Sequence, residues 1–340
     1  MNLTLHRFDL PTRHPFTISR GTTTVQRTLI VELEQDGMYG YGEAPEAEYY
    51  GATIETMTDA LESVRSEIEK HTLDDPAVLW ETMRPVLRQA TFCQCAVDTA
   101  AHDLWGKLRG EPVWKLWGLS LDNIPPSDYT IGIDTIDVMV AKLKEFPDFP
   151  VYKIKLGTAD DVEIVRRLRE HTEAPFRVDA NCAWSMHETI ENSAALRDLG
   201  VEFIEQPLPP DALDGMKQVM RGSVLPIVAD ESCQVESDVD GCDGLFQGVN
   251  IKLVKCGGLT PARRMITRAR RLGMNVMVGC FTESTVGISA IAQLLPLVDY
   301  ADLDGALLLA RDVATGVTVE NGQVIYPNEN GCGVTMTPQH

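Results

Sequence analysis

Short apolar runs punctuate the chain, and the way they alternate with polar stretches changes near residue 125. In the first 60 residues the runs have the character of strands. Residues 28–33 (TLIVEL) are β-branched and apolar, and Asp36-Gly37 follows as a turn signal. From Thr53 to about Gly118 the period becomes helical. Ala96, Ala100, Leu104 and Leu108 recur at every fourth position with Asp98 and Asp103 between them, and Gly110-Glu111-Pro112 ends the run. Strands followed by helices predict an α+β unit over residues 1–124, and Pro125-Pro126 reads as its junction with a second domain.

Beyond that junction, eight short apolar segments occur at 129–133, 151–156, 176–179, 202–205, 227–230, 249–253, 275–278 and 300–303. Amphipathic stretches such as 161–171, 187–199 and 261–272 separate them. Such alternation demands parallel strands joined by right-handed crossovers, and eight of them close into a barrel. The predicted fold class is therefore α/β, with the barrel over residues 125–310. A doubly wound open sheet is disfavoured because no G-x-G-x-x-G follows the first strand.

Chemistry falls on the same spacing. Lys155, Asp179, Glu205, Asp230 and Lys255 are separated by 24, 26, 25 and 25 residues. In a barrel each βα unit returns the chain to the same face, so residues one unit apart at strand ends converge on one mouth. A single Asp at a strand end is commonly a helix cap; three acids and two lysines on one period are a site. The three carboxylates supply hard oxygen ligands for Mg2+, with Mn2+ the runner-up, and leave room for a substrate carboxylate. None of the seven His residues shares the period, so a zinc site is not indicated. Lys155 and Lys255 come from strands roughly opposite in an eight-strand ring. A neutral lysine there can take a proton from the carbon beside a carboxylate while the opposite ammonium returns one. Lys153, two residues before Lys155 on the same strand face, is placed to be the cation that lowers its neighbour's pKa. Asn181 and Glu231 stand beside the ligands as supporting partners.

These residues sit in motifs that resemble the enolase superfamily, in its muconate-lactonizing-type subgroup: K-x-K at Lys153 and Lys155, D-x-N at Asp179 and Asn181, E-Q-P from Glu205, D-E-S from Asp230, and N-I-K-L-x-K-x-G-G from Asn250 to Gly258. The resemblance covers essentially the whole chain. It implies a modified (β/α)7β TIM-type barrel under an N-terminal α+β capping domain, essential Mg2+, and lysine acid/base catalysis. Residues 311–340 would return to the capping domain. Where many relatives carry Asp between the two lysines of the sixth-strand motif this chain has Val254, which removes an expected polar partner of Lys255.

The subgroup includes racemases, syn-cycloisomerases and dehydratases. Asp302-Leu303-Asp304 narrows the choice, because this D-x-D resembles the signature of dipeptide epimerases, in which the two acids meet the substrate α-ammonium. The implied reaction is reversible 1,1-proton transfer at the α-carbon of a dipeptide's C-terminal residue, with L-Ala-D/L-Glu from murein peptides the leading substrate. Pro15 to Gly21 resembles the first specificity loop, with Arg20 placed to pair with the glutamate side chain. Tyr50 belongs to the second, and Cys280, Phe281, Thr282 and Glu283 are expected to line the pocket. Alternatives are an N-acylamino acid racemase, o-succinylbenzoate synthase or muconate cycloisomerase, and, from another class, a catalytically silent metal-binding scaffold.

Composition sets the outer bounds. Apolar residues make up 44% and charged residues 24%, as in soluble globular proteins. With 30 basic against 50 acidic residues the net charge is −20, which argues against nucleic acid or an anionic membrane as partner. The eight cysteines show no paired C-x-x-C, and no apolar run approaches membrane-spanning length. A cytoplasmic protein with reduced thiols and a homo-oligomeric assembly are expected.

Overall fold

A computed structural model describes residues 1–338. The first part is an antiparallel sheet, β1 (Asn2–Ile18), β2 (Gly21–Gln35) and β3 (Met38–Pro45), in that order. Three helices come next, α1 (Ile54–Lys70), α2 (Pro76–Leu87) and α3 (Thr91–Arg109). Thr53 starts α1 with a capping box, its side chain accepting from Thr56 N while Thr56 Oγ1 accepts from Thr53 N. The sheet lies unusually close to α3. A Cβ at Gly42 would stand 2.0 Å from the Ala96 carbonyl oxygen, so only glycine fits that strand position.

Among the described residues, eight parallel strands make up the second part: β4 (Tyr129–Ile131), β5 (Tyr152–Lys155), β6 (Phe176–Asp179), β7 (Val201–Glu205), β8 (Ile227–Ala229), β9 (Gly248–Ile251), β10 (Asn275–Gly279) and β11 (Tyr300–Asp302). They form one sheet in sequential order. The ends meet through a parallel bridge between Ser127 and Ala301, where Asp128 N donates to Ala301 O (3.2 Å). Each segment expected from the apolar pattern is a strand here, with most ends differing by one or two residues. A helix joins each strand to the next, and among the described residues the only helical element after β11 is the short 3-10 turn Gly305–Leu308, which makes the barrel (β/α)7β.

The apolar layer lies between strands and helices, and the barrel's inside is graded. Low in the barrel Phe203, Val228 and Met277 form their own apolar cluster against Tyr300, and the Arg177 guanidinium lies 4.9 Å from the Tyr300 ring. Towards the strand C-termini the interior becomes charged, because side chains at alternate strand positions point inwards and these are Lys153, Lys155, Asp179 and Glu205.

The two parts are locked together by buried polar contacts. The Asp98 carboxylate on α3 accepts from Thr260 N (2.9 Å) and Thr260 Oγ1 (2.7 Å), so a capping-domain acid caps the helix Leu259–Arg271. Gly258 sits against the same carboxylate at φ 119°, and a Cβ there would meet Asp98 Oδ2 at 2.4 Å. Glu43, buried on β3, accepts from Ser284 N and Gly287 N at the start of the helix Thr285–Ala292 (both 3.0 Å). The last segment runs back along α3: Cys332 N donates to Asp103 Oδ1 (2.8 Å) and Lys107 Nζ to Val334 O (2.8 Å).

Candidate active site

Asp179 ends β6, Glu205 ends β7, and the two are register partners; Asp230 is the first residue past β8. One oxygen from each lies within 4.8 Å of the others, and all three residues are buried. The backbone turns sharply after β6 and β7 to hold them there. Asn181 (φ 44°), Cys182 (66°) and Gln206 (35°) all occupy the left-handed region, where non-glycine residues are held at a cost by their surroundings. Asn181 N donates to Asp179 Oδ1 (2.9 Å) and Asn181 Nδ2 to Oδ2 (3.2 Å). Gln206 Oε1 accepts from Asp230 N (2.9 Å) and Ser232 N (3.0 Å), coupling the E-Q-P turn to the D-E-S turn. Asn250 Nδ2 donates to Glu205 Oε1 (2.8 Å).

Four ammonium groups surround these acids. Lys155 Nζ lies 2.6 Å from Asp179 Oδ2, and Lys252 Nζ 3.1 Å from Asp230 Oδ2. Lys255 Nζ donates to the Asp230 carbonyl (2.6 Å) and to its Oδ1. The fourth is Lys153. Burial works to raise Asp179, but Lys155 and Lys153 overcome it and hold the carboxyl below its usual range. Burial also opposes ionisation of Asp230, and Lys252 and Lys255 reverse that.

Two lysine expectations change. Lys153 is not a free cation beside Lys155: its ammonium is fully buried between Glu205 Oε2 (2.8 Å), Asp302 Oδ2 (2.8 Å) and Asp179 Oδ2 (3.6 Å). Burial alone would lower its pKa, and these acids raise it well above the usual lysine range. It therefore acts as the counter-charge that lets three acids share a dry space. Lys255 lies not on a strand end but on the one-turn helix Leu253–Cys256, behind Asp230 and fully covered. Val254 faces the core at 1% exposure, so Asp230 supplies both acceptors to Lys255.

A cavity of about 540 Å3 opens above this floor, between the barrel mouth and the capping loops, with Lys155, Lys252 and Asp230 in its wall. Lys252, inside the N-I-K-L motif, lies off the 25-residue spacing that marks the other site residues. Its ammonium is 5.1 Å from the Phe281 ring centroid. Asp302 and Asp304 both reach the cavity, but in different states. Burial would raise Asp302, yet Lys153, Lys155 and Lys252 hold it at about 2. Burial, then the adjacent Asp302 charge, push Asp304 up to about 8, and Asp304 Oδ2 accepts from Thr130 N. Cys280, Phe281 and Thr282 line the cavity as expected, whereas Glu283 does not. It turns away to accept from Phe281 N (2.8 Å), beside Glu43.

The first capping loop is a two-residue hairpin turn, Ser19-Arg20, because β1 and β2 pair up to Ile18 and Gly21. Arg20 Nη1 donates to Glu231 Oε1 (2.7 Å) and to the Asn181 carbonyl (3.3 Å). Its pairing partner here is thus a barrel acid. Tyr50 packs edge-on to Phe281 (5.9 Å) and near Phe92 (5.8 Å), so the second loop rests on the barrel rim.

The donor set fits a hard divalent cation. Four buried acceptor oxygens near the triad, on Asn181, Glu205, Glu231 and Asn250, receive no aligned hydrogen bond, although Glu205 Oε2 keeps its ion pair with Lys153. Oxygens of this kind, in a ring of carboxylates, are what Mg2+ coordinates, and no thiol or imidazole stands among the three acids.

Family models match both parts of the chain: the mandelate racemase/muconate lactonizing enzyme N-terminal domain over residues 2–118 and the enolase C-terminal domain-like model over 138–340. The chain belongs to the dipeptide epimerase family of the enolase superfamily. A relative from Flavobacterium johnsoniae named L-Ala-D/L-amino acid epimerase is 53% identical over 99% of this chain and 100% of its own length. One from Bacteroides thetaiotaomicron named L-Ala-D/L-Glu epimerase is 41% identical over 98% of this chain and 88% of its own. Among solved structures, the substrate-liganded L-Ala-D/L-Glu epimerase from Bacillus subtilis superposes with a TM-score of 0.93 at 26% identity, covering 100% of this chain and 99% of that one. The Cytophaga hutchinsonii dipeptide epimerase, complexed with Mg and D-Ala-L-Val, matches at TM-score 0.93 and 27% identity over 99% of this chain and 96% of that one.

Proposed function

We propose that this enolase-superfamily protein is a Mg2+-dependent dipeptide epimerase that moves a proton on and off the α-carbon of the C-terminal residue of L-Ala-X dipeptides, L-Ala-D/L-Glu included. What supports the reading is that Lys155 and Lys255, from the second and sixth strand units, each pair with a carboxylate of one buried triad, and that Asp302 lines the cavity beside it.

Asp179, Glu205 and Asp230 would hold the dication, which would supply positive charge to stabilise the carboxylate of a substrate that loses its α-proton. Lys155 and Lys255 act as the two bases. One, neutral, takes the α-proton from its face, and the other, as ammonium, returns a proton to the opposite face. Lys153 does not exchange protons, because three carboxylates hold its charge. Asp302 meets the substrate α-ammonium and fixes the far end of the dipeptide, so the α-carbon of the second residue falls between the lysines. Tyr50 and the hairpin turn close over the bound peptide and exclude water. The eight free thiols fit a reducing compartment, consistent with a cytoplasmic enzyme handling dipeptides from murein turnover.

The test is isotope exchange. Incubating L-Ala-L-Glu and a panel of L-Ala-X dipeptides with the protein and Mg2+ in deuterated water should give both epimers, labelled at the second α-carbon. No label in any dipeptide would refute the reading.

A further inference from the structure

We propose that Arg20 is a positioning residue, a clasp that ties the capping hairpin to the metal-side acids, and that the subsite beside it favours uncharged over acidic side chains of the substrate's C-terminal residue. The proposal rests on the epimerase reading above and deepens it.

Arg20 touches three separate pieces of the mouth. Its Nη1 reaches Glu231 Oε1 (2.7 Å) in the D-E-S turn and the Asn181 carbonyl (3.3 Å) in the D-x-N turn. Ser19 Oγ, its neighbour in the hairpin, donates to the same carbonyl (3.1 Å). The flat face of the guanidinium lies 4.5 Å from the ring centroid of Tyr49, which belongs to the second capping loop. One side chain therefore holds both capping loops against the two turns that carry Asp179 and Asp230. A hairpin tip of two residues, otherwise free to move, is fixed over the site by these contacts.

The charge balance makes Arg20 a poor receptor for a substrate acid. The Glu231 side chain is fully covered, whereas Arg20 is 28% exposed. A substrate carboxylate that took Arg20 for itself would leave a buried acid without its counter-charge. A carboxylate that shared it would add a second negative charge to an already matched pair. Ile18, two residues before Arg20, and Tyr49, whose ring the guanidinium covers, add apolar surface to the same cavity.

Rates for L-Ala-L-Met and L-Ala-L-Glu separate a clasp from a receptor. Arg20→Met is expected to lower kcat/KM for both by one common factor of about tenfold, chiefly through kcat, as loose positioning does. Arg20→Lys should recover part of both. Glu231→Gln leaves the guanidinium unmatched and should shift the ratio towards L-Ala-L-Glu by about tenfold. A loss confined to L-Ala-L-Glu in Arg20→Met, no loss for either dipeptide, or an unchanged ratio in Glu231→Gln would each overturn the clasp. That ratio is measured within one protein, so it decides the matter even where Arg20→Met folds poorly. Wild-type protein inert towards both dipeptides sinks the epimerase reading instead. A thermal-melting cycle of Arg20→Met and Glu231→Gln then judges the clasp alone: coupled effects support it and additive ones overturn it.

Discussion

Lys155 and Lys255 reach the carboxylate triad from the second and sixth units of an eight-strand ring, and the proposed mechanism requires a planar carbon between them to present one face to each. Their roles separate by isotope. Lys255→Ala is expected to stop interconversion of the epimers, with a loss of about 10²–10⁴-fold. It should leave solvent exchange in only the epimer whose α-proton faces Lys155. Lys155→Ala should show the mirror result, read by chiral chromatography with mass detection. Exchange of both epimers in either variant would show that the named lysine is not a base. Asp302 offers a second test at this scale. Held ionised at about 2, it is the carboxylate available to an ammonium. Asp302→Asn should cut kcat/KM for a free dipeptide by about ten- to hundredfold, the usual worth of a charge-assisted hydrogen bond. N-acetylation of the dipeptide should then cost little more. At this scale much was legible from spacing alone. Lys155, Asp179, Glu205, Asp230 and Lys255 cluster at one end of the barrel because each βα unit returns the chain there. Lys252 stands three residues ahead of Lys255, off the period, so spacing does not reveal it.

The helix Thr285–Ala292 joins the seventh strand to the capping sheet, and its N-terminus is where two buried acids face each other. Glu43 is stabilised by Ser284 and Gly287 amides, and Glu283 is pushed up to about 8 by burial and by Glu43, with Asp302 adding to this and Lys252 opposing it. A carboxyl raised in the folded state binds its proton more tightly there than in the unfolded chain. Its stabilising effect is complete below the unfolded pKa near 4 and is lost as pH rises through about 8. Glu283→Gln keeps the shape and removes the ionisation. It should therefore melt like the parent near pH 5 and above it at pH 9. Melting curves across that range check the sign, and a variant that gained nothing at high pH would contradict it. Sequence alone could not find this pair. Glu43 and Glu283 lie 240 residues apart, and only the packing of β3 on that helix brings them together.

Across the whole molecule, the carboxylate triad draws on the barrel's third, fourth and fifth strands, and Arg20 and Gln206 tie those turns to the rest. Mg2+ that binds only the folded chain should raise its stability by about 2.7 kcal/mol at a hundredfold excess over Kd. Asp179→Asn should abolish that Mg2+-dependent gain in melting temperature, whatever its effect on activity. An undiminished gain in this variant would place the ion elsewhere.

The chain's one-dimensional pattern determined its class: eight apolar runs about 25 residues apart can bury their faces only as a β/α barrel, and residues sharing that period must share its mouth. Strand existence and site convergence are therefore local and periodic facts. What the pattern could not state is which charge answers which. Lys153 became a buried counter-ion, Lys255 moved onto a helical turn, Glu283 faced inwards, and Arg20 closed on Glu231. Ion pairs depend on distances between side chains far apart in sequence, and in a dry interior a few ångströms decide their strength. Only the folded chain sets those distances.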